Sequence, residues 1–362
     1  MNRPKRIVIL IDDLQPGGSE RVVADLCAGL PRERYTVSVI ALLSGGPMAE
    51  EIRRTGARVF VLGLRRLNLP VALWSLVVRL RRERYDVAHC FRLAGRTIGS
   101  LAARAAGVPK IIIGWGSPPT GKWRRFEALA CRWATRLEAC SDAVAREISR
   151  CHGVPKARIA TLHHGIRVKG NCLGRTAARR ALGLPDTGAV IGIVANHRKE
   201  KDYPCLLRAS AQVLRAFPEA LFVSIGGGRG LAETRALAAR LGVEKSWRFL
   251  GARSDAAALY SAFDVFALPS RTEGFGIVLL EAMHAGVPCV ASDAGGIPEV
   301  VVHEGTGLLF PAGDAEALAD GICRLLNDPQ QRKVLRDAGR RRFRAEFTVE
   351  QMVAATGRLY DS

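Results

Sequence analysis

The chain has 362 residues, 48% hydrophobic and 24% charged, a composition that excludes disordered, collagen-like and coiled-coil classes at a length where one core usually gives way to two. Its formal net charge is +20. The nine cysteines are scattered without a CxxC pair, which argues against a disulfide framework or zinc site and for a reducing cytoplasm.

The first apolar run, Ile7-Val8-Ile9-Leu10-Ile11, ends in Asp12-Asp13; it is too short for a secretory signal and reads as a buried strand over 6–11. Gly17-Gly18-Ser19 follows at the head of a helix predicted over 18–30, with Ser19 as N-cap. Backbone amides there are placed to hold an anion, although a glycine pair at a strand end serves turn chemistry equally well. Strands at 36–43 and 57–62 lead to a helix at 69–83, where Leu73, Leu76, Val77 and Leu80 share a face among Arg79, Arg81, Arg82 and Arg84. A strand at 86–89 ends on His89. Helices at 96–106, 122–135 and 142–151 then alternate with strands at 110–113, 136–139 and 158–162. The middle helix sets Trp123, Phe126, Ala130 and Trp133 on one stripe, flanked by Lys122, Arg124, Arg125 and Arg132. Each basic amphipathic helix admits two readings: a face buried in the protein's own core, or one lying among lipid headgroups. No apolar run approaches the ~18 residues of a membrane span.

The polar stretch Gly165–Gly174 reads as a linker. Beyond it come strands at 189–194, 220–225, 247–250, 265–268 and 288–291, separated by helices at 203–216, 230–241 and 276–285, with a further helix at 314–327. This alternation predicts an α/β protein of two doubly wound, Rossmann-like domains facing across a cleft. Residues 1–180 carry 33 basic and 13 acidic side chains, whereas 181–362 carry 21 of each, so the excess sits in the N-terminal half. A polyanionic partner follows: nucleic acid, an anionic membrane surface or a phosphorylated lipid. No recognised nucleic-acid module accompanies the charge, which disfavours nucleic acid.

Gly226-Gly227-Gly228 follows a strand, but neither it nor Gly17-Gly18 matches GxGxxG or Walker A, so dehydrogenase and P-loop readings lose their main support. The most informative segment runs from Pro269 through Glu273-Gly274-Phe275-Gly276-Ile277 to Glu281 and Pro288, as strand, glycine turn, helix and next strand. Glu281 falls two turns into the helix, too far from Glu273 for the two to share a proton. That spacing suits two acceptors gripping different hydroxyls of one long ligand while the amides near Gly274 to Ile277 face its phosphate. Glu273 as a first-turn dipole partner and Glu281 as a helix-surface residue is the plainer alternative.

Glu273-Gly-Phe-Gly followed by Glu281 resembles the E-x7-E motif of the retaining family 4 glycosyltransferases of the GT-B fold. Phe249-Leu-Gly251, Leu259 to Ser270, Ala294-Gly-Gly296-Ile-Pro-Glu299 and Gly305 to Phe310 resemble that family's flanking segments, and Gly17-Gly18 and Ser141-Asp-Ala-Val144 its N-terminal landmarks. The resemblance implies an acceptor-binding domain over 1–168, a nucleotide-sugar-binding domain over 169–345 and a C-terminal helix, 346–362, returning to the first. It implies that Glu273 contacts donor-sugar hydroxyls, that Glu281 contacts the ribose, and that Gly274, Phe275, Gly276 and Ile277, with Gly17 and Gly18, complete the donor site. Lys201 stands at the family's lysine position for the diphosphate. The arginine five residues earlier is Asn196 here, which leaves Arg198 as substitute. His89 matches a histidine near the reacting centre, so Glu273, Lys201 and His89 are the expected catalytic residues. Phe91 and Trp115 stand where further histidines are frequent, and His163-His164-Gly165 replaces a Pro-Asn-Gly turn. The family pattern implies front-face transfer with retention, with the leaving diphosphate taking the acceptor's proton. No DxD motif is present, and no cofactor or metal is expected. The expected activity is transfer of a sugar from a nucleoside diphosphate sugar, UDP-linked in preference to GDP-linked, to a lipid-linked or cell-envelope polysaccharide. The expected location is cytoplasmic, peripheral at the inner face of the cell membrane. The departures at Asn196, Phe91 and Trp115 keep one alternative open: a non-catalytic subunit of this fold that recruits a partner enzyme to the membrane.

Overall fold

The computed structural model describes residues 3–65, 69–119, 121–167 and 172–362, apart from the side chains of Leu69 and Lys122. The expected linker at 165–174 therefore lies partly outside the described residues. The chain forms two compact units, Met1–Gly165 with Val349–Ser362, and Ile166–Thr348.

The first unit is built on a seven-stranded sheet in the order β3-β2-β1-β4-β5-β6-β7. Its strands are β1 (Lys5–Ile11), β2 (Tyr35–Ala41), β3 (Arg58–Val61), β4 (Val87–Phe91), β5 (Lys110–Trp115), β6 (Arg136–Ala139) and β7 (Ile159–Thr161), every pair parallel. Ile7 to Ile11 are completely buried, as a central parallel strand covered on both faces requires. Ile7 pairs with Val37 on one side and Val87 on the other, and the strand order reverses between β1 and β4. Helix Asp142–His152 shows why these residues start and stop where they do: Ser141 Oγ accepts from the Val144 amide at 3.1 Å, and Gly153 ends the helix at φ +66°.

The second unit repeats the plan with six strands in the order β10-β9-β8-β11-β12-β13. They are β8 (Val190–Val194), β9 (Leu221–Ile225), β10 (Trp247–Phe249), β11 (Val265–Leu268), β12 (Cys289–Ser292) and β13 (Gly307–Phe310), again all parallel. Ile191, Ile193, Leu206, Phe222, Val265, Val290 and Ile322 lie in one core between sheet and helices. Both sheets therefore reverse direction next to their first strand, the place where doubly wound sheets bind ligands at the carboxyl ends of the strands.

Several elements differ from the sequence reading, among them the short helices Met48–Arg54 and Arg175–Ala181, which it does not include. Where a helix is predicted at 96–106, the chain runs from Arg92–Ala94 through a π-helical turn at Gly95–Gly99 into Ser100–Ala105, and the Gly95 amide donates both to the Arg92 carbonyl and to Asp12 Oδ1 at 3.0 Å. β13 was not predicted, since its apolar run is only a few residues long and begins on glycine. Helix Pro329–Glu346 was also not predicted: it buries only Leu335, Gly339 and Phe343, a single narrow stripe in an otherwise charged segment.

Helix Val349–Asp361 packs within the first unit. Tyr35 OH donates to the Gly357 carbonyl (3.2 Å) and Asp361 Oδ2 (2.8 Å), and Lys5 pairs with Asp361 at 2.8 Å. Gly29 has no side chain because a Cβ there would stand 2.6 Å from Val353 Cγ2. Of the cations counted with the N-terminal half, Arg167, Arg175, Arg179 and Arg180 lie on the chain of the second unit, so the charge excess is less one-sided than the halves suggest.

Candidate active site

In the second unit the reversal point lies between β8 and β11, and the loop after each strand carries one half of an ion pair. Lys201 Nζ donates to Glu273 Oε2, and Ser270 Oγ donates to the same oxygen at 3.2 Å. Both charged side chains are largely buried. Ser292, at the end of β12, donates to the Ser270 carbonyl at 2.6 Å and so fixes the serine that holds the glutamate. Lys201 is positioned by strained backbone, because Asp202 immediately after it adopts φ +44°. Two contacts hold Asp202 there: it caps helix Tyr203–Ala216 and pairs with Arg271 at 2.7 Å. The Arg271 amide donates to the Glu200 carbonyl at 2.8 Å, so the two loops are stitched together.

Glu273 opens the turn into helix Ile277–Ala285. The N-cap, Gly276, has φ +93°, and no side chain caps the helix, so its first-turn amides face outward with the positive end of the dipole. Phe275 is buried against Phe347, ring centroids 5.7 Å apart and edge-on. Gly295 passes so close to this turn that a Cβ would lie 2.0 Å from the Glu273 carbonyl oxygen, and the Gly296 amide donates to that oxygen at 3.0 Å. Glu281, two turns on, accepts from Tyr260 OH at 2.5 Å. Burial and this carboxylate together push the Tyr260 phenol up, so it stays a donor. Sequence reasoning missed Tyr260, Ser270 and Gly295 as supports; all three lie in segments that resembled the family, where the residues themselves were the only signal.

Arg198 is not drawn into this arrangement. Its side chain is 65% exposed, 4.0 Å from Glu200. The neighbouring His197 is buried instead, stacked on Tyr203 at 3.8 Å with its nitrogens 3.0 Å from Thr234 Oγ1 and Ser224 Oγ. It also clamps the Gly226–Gly228 loop, donating its amide to the Gly227 carbonyl at 2.7 Å. Burial, helped by Arg235, pushes the His197 pKa down to about 4. The unfolded chain takes up that proton near pH 6.5, whereas the folded chain resists until about 4, so stability is full above 6.5 and falls across that interval as pH falls. Each unit of depression is worth about 1.4 kcal/mol. Urea unfolding followed from pH 6.5 to 5 is therefore expected to show a shallower loss in His197→Gln than in the wild type; equal slopes would remove His197 as the cause.

In the first unit, two of the expected site positions have their own protein neighbours. β4 runs on to Phe91, so His89 lies inside the sheet rather than at a strand end. It is 0% exposed, with Nδ1 2.9 Å from Tyr360 OH and Nε2 2.8 Å from Glu138 Oε2. His89 thus sits between β4, β6 and the final helix. Gly17 and Gly18 do head helix Gly18–Gly29, but the carboxylate of Glu20 already occupies that end: Glu20 Oε2 lies 2.3 Å from where a Cβ on Gly17 would stand. Glu20 is 1% exposed, and Arg92 approaches it at 3.3 Å. Burial raises its pKa, against the pull of Arg92. The Glu20 side chain therefore packs against the loop at the helix head. Among the described residues no group of three or more His, Cys, Asp or Glu side chains is placed to hold a metal ion.

Known proteins resemble the chain in sequence and in fold. Residues 16–169 match the family model described as Glycosyltransferase Family 4, and residues 174–342 the one described as Glycosyl transferases group 1. A D-inositol 3-phosphate glycosyltransferase of Saccharomonospora viridis is 30% identical, the alignment covering 92% of this chain and 88% of that protein. A GDP-mannose-dependent monoacylated alpha-(1-6)-phosphatidylinositol monomannoside mannosyltransferase of Corynebacterium glutamicum is 36% identical over 49% of this chain and 48% of its own. The crystal structure of Anabaena Alr3699/HepE in complex with UDP superposes with a TM-score of 0.86 at 22% identity, covering 98% of this chain and 99% of that one.

Proposed function

Because the chain belongs to the family 4 glycosyltransferases of the GT-B fold, we propose that its second unit binds a nucleoside diphosphate sugar, UDP-linked in preference to GDP-linked, and that its first unit receives a lipid-linked or cell-envelope saccharide acceptor. The protein is a glycosyltransferase; donor, acceptor and residue roles are our reading. The observation that carries it is the Lys201–Glu273 pair at the sheet reversal, beside an uncapped helix head. A diphosphate entering there takes Lys201 as counter-ion and the first-turn amides of Ile277 and its neighbours as donors. Glu273, relieved of the lysine, turns its carboxylate to sugar hydroxyls, while Glu281, oriented by Tyr260, accepts from the ribose. As the bond to the anomeric carbon breaks, charge grows on the departing diphosphate, and Lys201 and the helix dipole are already in place to stabilise it. The diphosphate oxygen then takes the acceptor's proton on the same face, with retention. Two relatives are named for inositol 3-phosphate and for a phosphatidylinositol monomannoside, and both names fit an anionic acceptor.

Calorimetric titration of UDP and GDP without added metal tests the donor reading. One nucleotide is expected to bind, with at least tenfold loss in Glu281→Ala; a folded protein that binds neither would overturn it.

For the acceptor side, no helix among the described residues is long and apolar enough to cross a membrane. Helix Leu69–Glu83 buries Ala72, Leu76, Val77 and Leu80 in its own unit. That helix also leaves Val71 and Trp74 exposed, and at helix Arg124–Trp133 Trp123 just before it is 48% exposed and Phe126 60%, with Leu129 also exposed beside Arg125 and Arg132. An exposed aromatic-apolar patch rimmed by arginine supports peripheral attachment to an anionic membrane face from the cytoplasm. Sedimentation with phosphatidylserine vesicles is expected to fall severalfold in Phe126→Ser/Arg125→Gln; unchanged sedimentation would reject the patch as the anchor.

A further inference from the structure

The second unit has a second concave feature at the opposite edge of its sheet. A cavity of about 440 Å³ opens where Asp264 precedes β11 and Pro288 precedes β12, the amino ends of strands whose carboxyl ends carry the Lys201–Glu273 pair. One wall is the helix Pro329–Glu346, which turns Arg332, Lys333, Arg336 and Arg340 toward it; Arg175 stands on another side. Asp264 is the lone carboxylate of the lining, and it is already matched. Its Oδ1 pairs with Arg175 at 2.8 Å, and its Oδ2 with the buried Arg179 at 2.8 Å and the Val190 amide at 2.9 Å.

The remaining cations are aligned more than they are neutralised. Arg340 donates to the Ala285 carbonyl at 2.9 Å and Arg332 to the Leu325 carbonyl at 3.4 Å, contacts with neutral acceptors that orient a guanidinium and leave its charge in place. Arg336 reaches Asp337 at 2.9 Å, an exposed pair. Arg332 and Arg336, and Arg336 and Arg340, are four residues apart, a spacing at which like charges destabilise a helix. Bidentate guanidinium donors converging on a concavity of small-molecule size are matched by phosphoryl oxygens better than by any neutral ligand.

We propose that this cavity is a second anion site, taking a phosphoryl group that carries two or more negative charges, either on a free solute or on the phosphorylated headgroup of a lipid. The site stands apart from the donor residues and does not depend on the donor reading.

Pyrophosphate is the probe, titrated calorimetrically at low ionic strength into wild type, Lys201→Ala and Arg332→Gln/Arg336→Gln. Wild type and Lys201→Ala are expected to bind, and adding the double substitution to Lys201→Ala is expected to weaken binding at least tenfold. The exposed Lys333→Gln gives a milder loss and guards against a folding defect in the double variant. Phosphatidylcholine vesicles with and without phosphatidylinositol phosphate separate the sources: sedimentation that requires the phosphorylated lipid and is lost in the double variant identifies a headgroup, whereas pyrophosphate binding without sedimentation identifies a free solute. Binding that disappears in Lys201→Ala and persists in the double variant belongs to the donor pair and overturns the proposal. So does the absence of binding in both arms.

Discussion

Replacing Lys201 by alanine is expected to lower kcat/KM for sugar transfer by about 10²–10³, the usual consequence of removing one preorganised charge from a developing anion. The loss should fall mainly on kcat, because the diphosphate gains charge only as the glycosidic bond breaks. The same change leaves Glu273 with Ser270 as its remaining hydrogen-bonding neighbour among the contacts described above, so donor affinity should weaken too, by a smaller factor. Lys201→Arg keeps the charge but carries a planar fork in place of a point charge, and should recover part of the rate. Initial rates over a range of donor concentrations check this directly; an alanine variant with wild-type kcat would remove Lys201 from the chemistry.

Gly295→Val is expected to have the largest effect of any substitution at a residue that touches no substrate. The position has φ +57°, costly for a β-branched side chain, and its Cβ would lie 2.0 Å from the Glu273 carbonyl oxygen. That oxygen accepts from the Gly296 amide, so the turn has to move or break a hydrogen bond. Overpacking and strain together predict a loss of about 3 kcal/mol in stability. In protein that still folds, Glu273 is displaced and kcat/KM falls at least tenfold. Thermal unfolding and initial rates measured together decide it; a variant unchanged in both would show that this close approach carries no weight.

How much was readable from the residues depends on whether the determining contact was local. The apolar runs of β1 and β8, and the glycine turn after Glu273, carry their own signal, and the α/β alternation follows from them. The surroundings of His89 are not legible in sequence because they include Tyr360, far along the chain, and because a buried histidine looks the same in sequence as a reactive one. Gly17-Gly18 looked like an anion loop for a similar reason: periodicity does not show that Glu20 folds back over the helix head. The segment 329–346 carries little helical signal, since its apolar stripe is only Leu335, Gly339 and Phe343. Its relation to Arg175 emerges only when the sheet brings the two segments together. The exposed aromatic patch near Phe126 could be framed from sequence as one of two alternatives, and the helix at 69–83, which leaves Val71 and Trp74 exposed, shares that ambiguity.

The chain leaves the first unit after Gly165 and rejoins it at Val349, and that interruption has a consequence for biogenesis. Domains on a nascent polypeptide generally fold in the order in which they are made. Here the first unit cannot finish before the second has been synthesised, because Tyr35, Lys110 and His89 each have hydrogen-bond partners on residues 357–361. Until then the His89–Glu138 pair, deep in the sheet, lacks the phenol that closes it off. The later unit can reach its native state while the earlier one still waits, so assembly runs against the order of translation. A stalled or prematurely released chain would carry a finished second unit and an unsealed first one, the form most exposed to proteolysis and quality control.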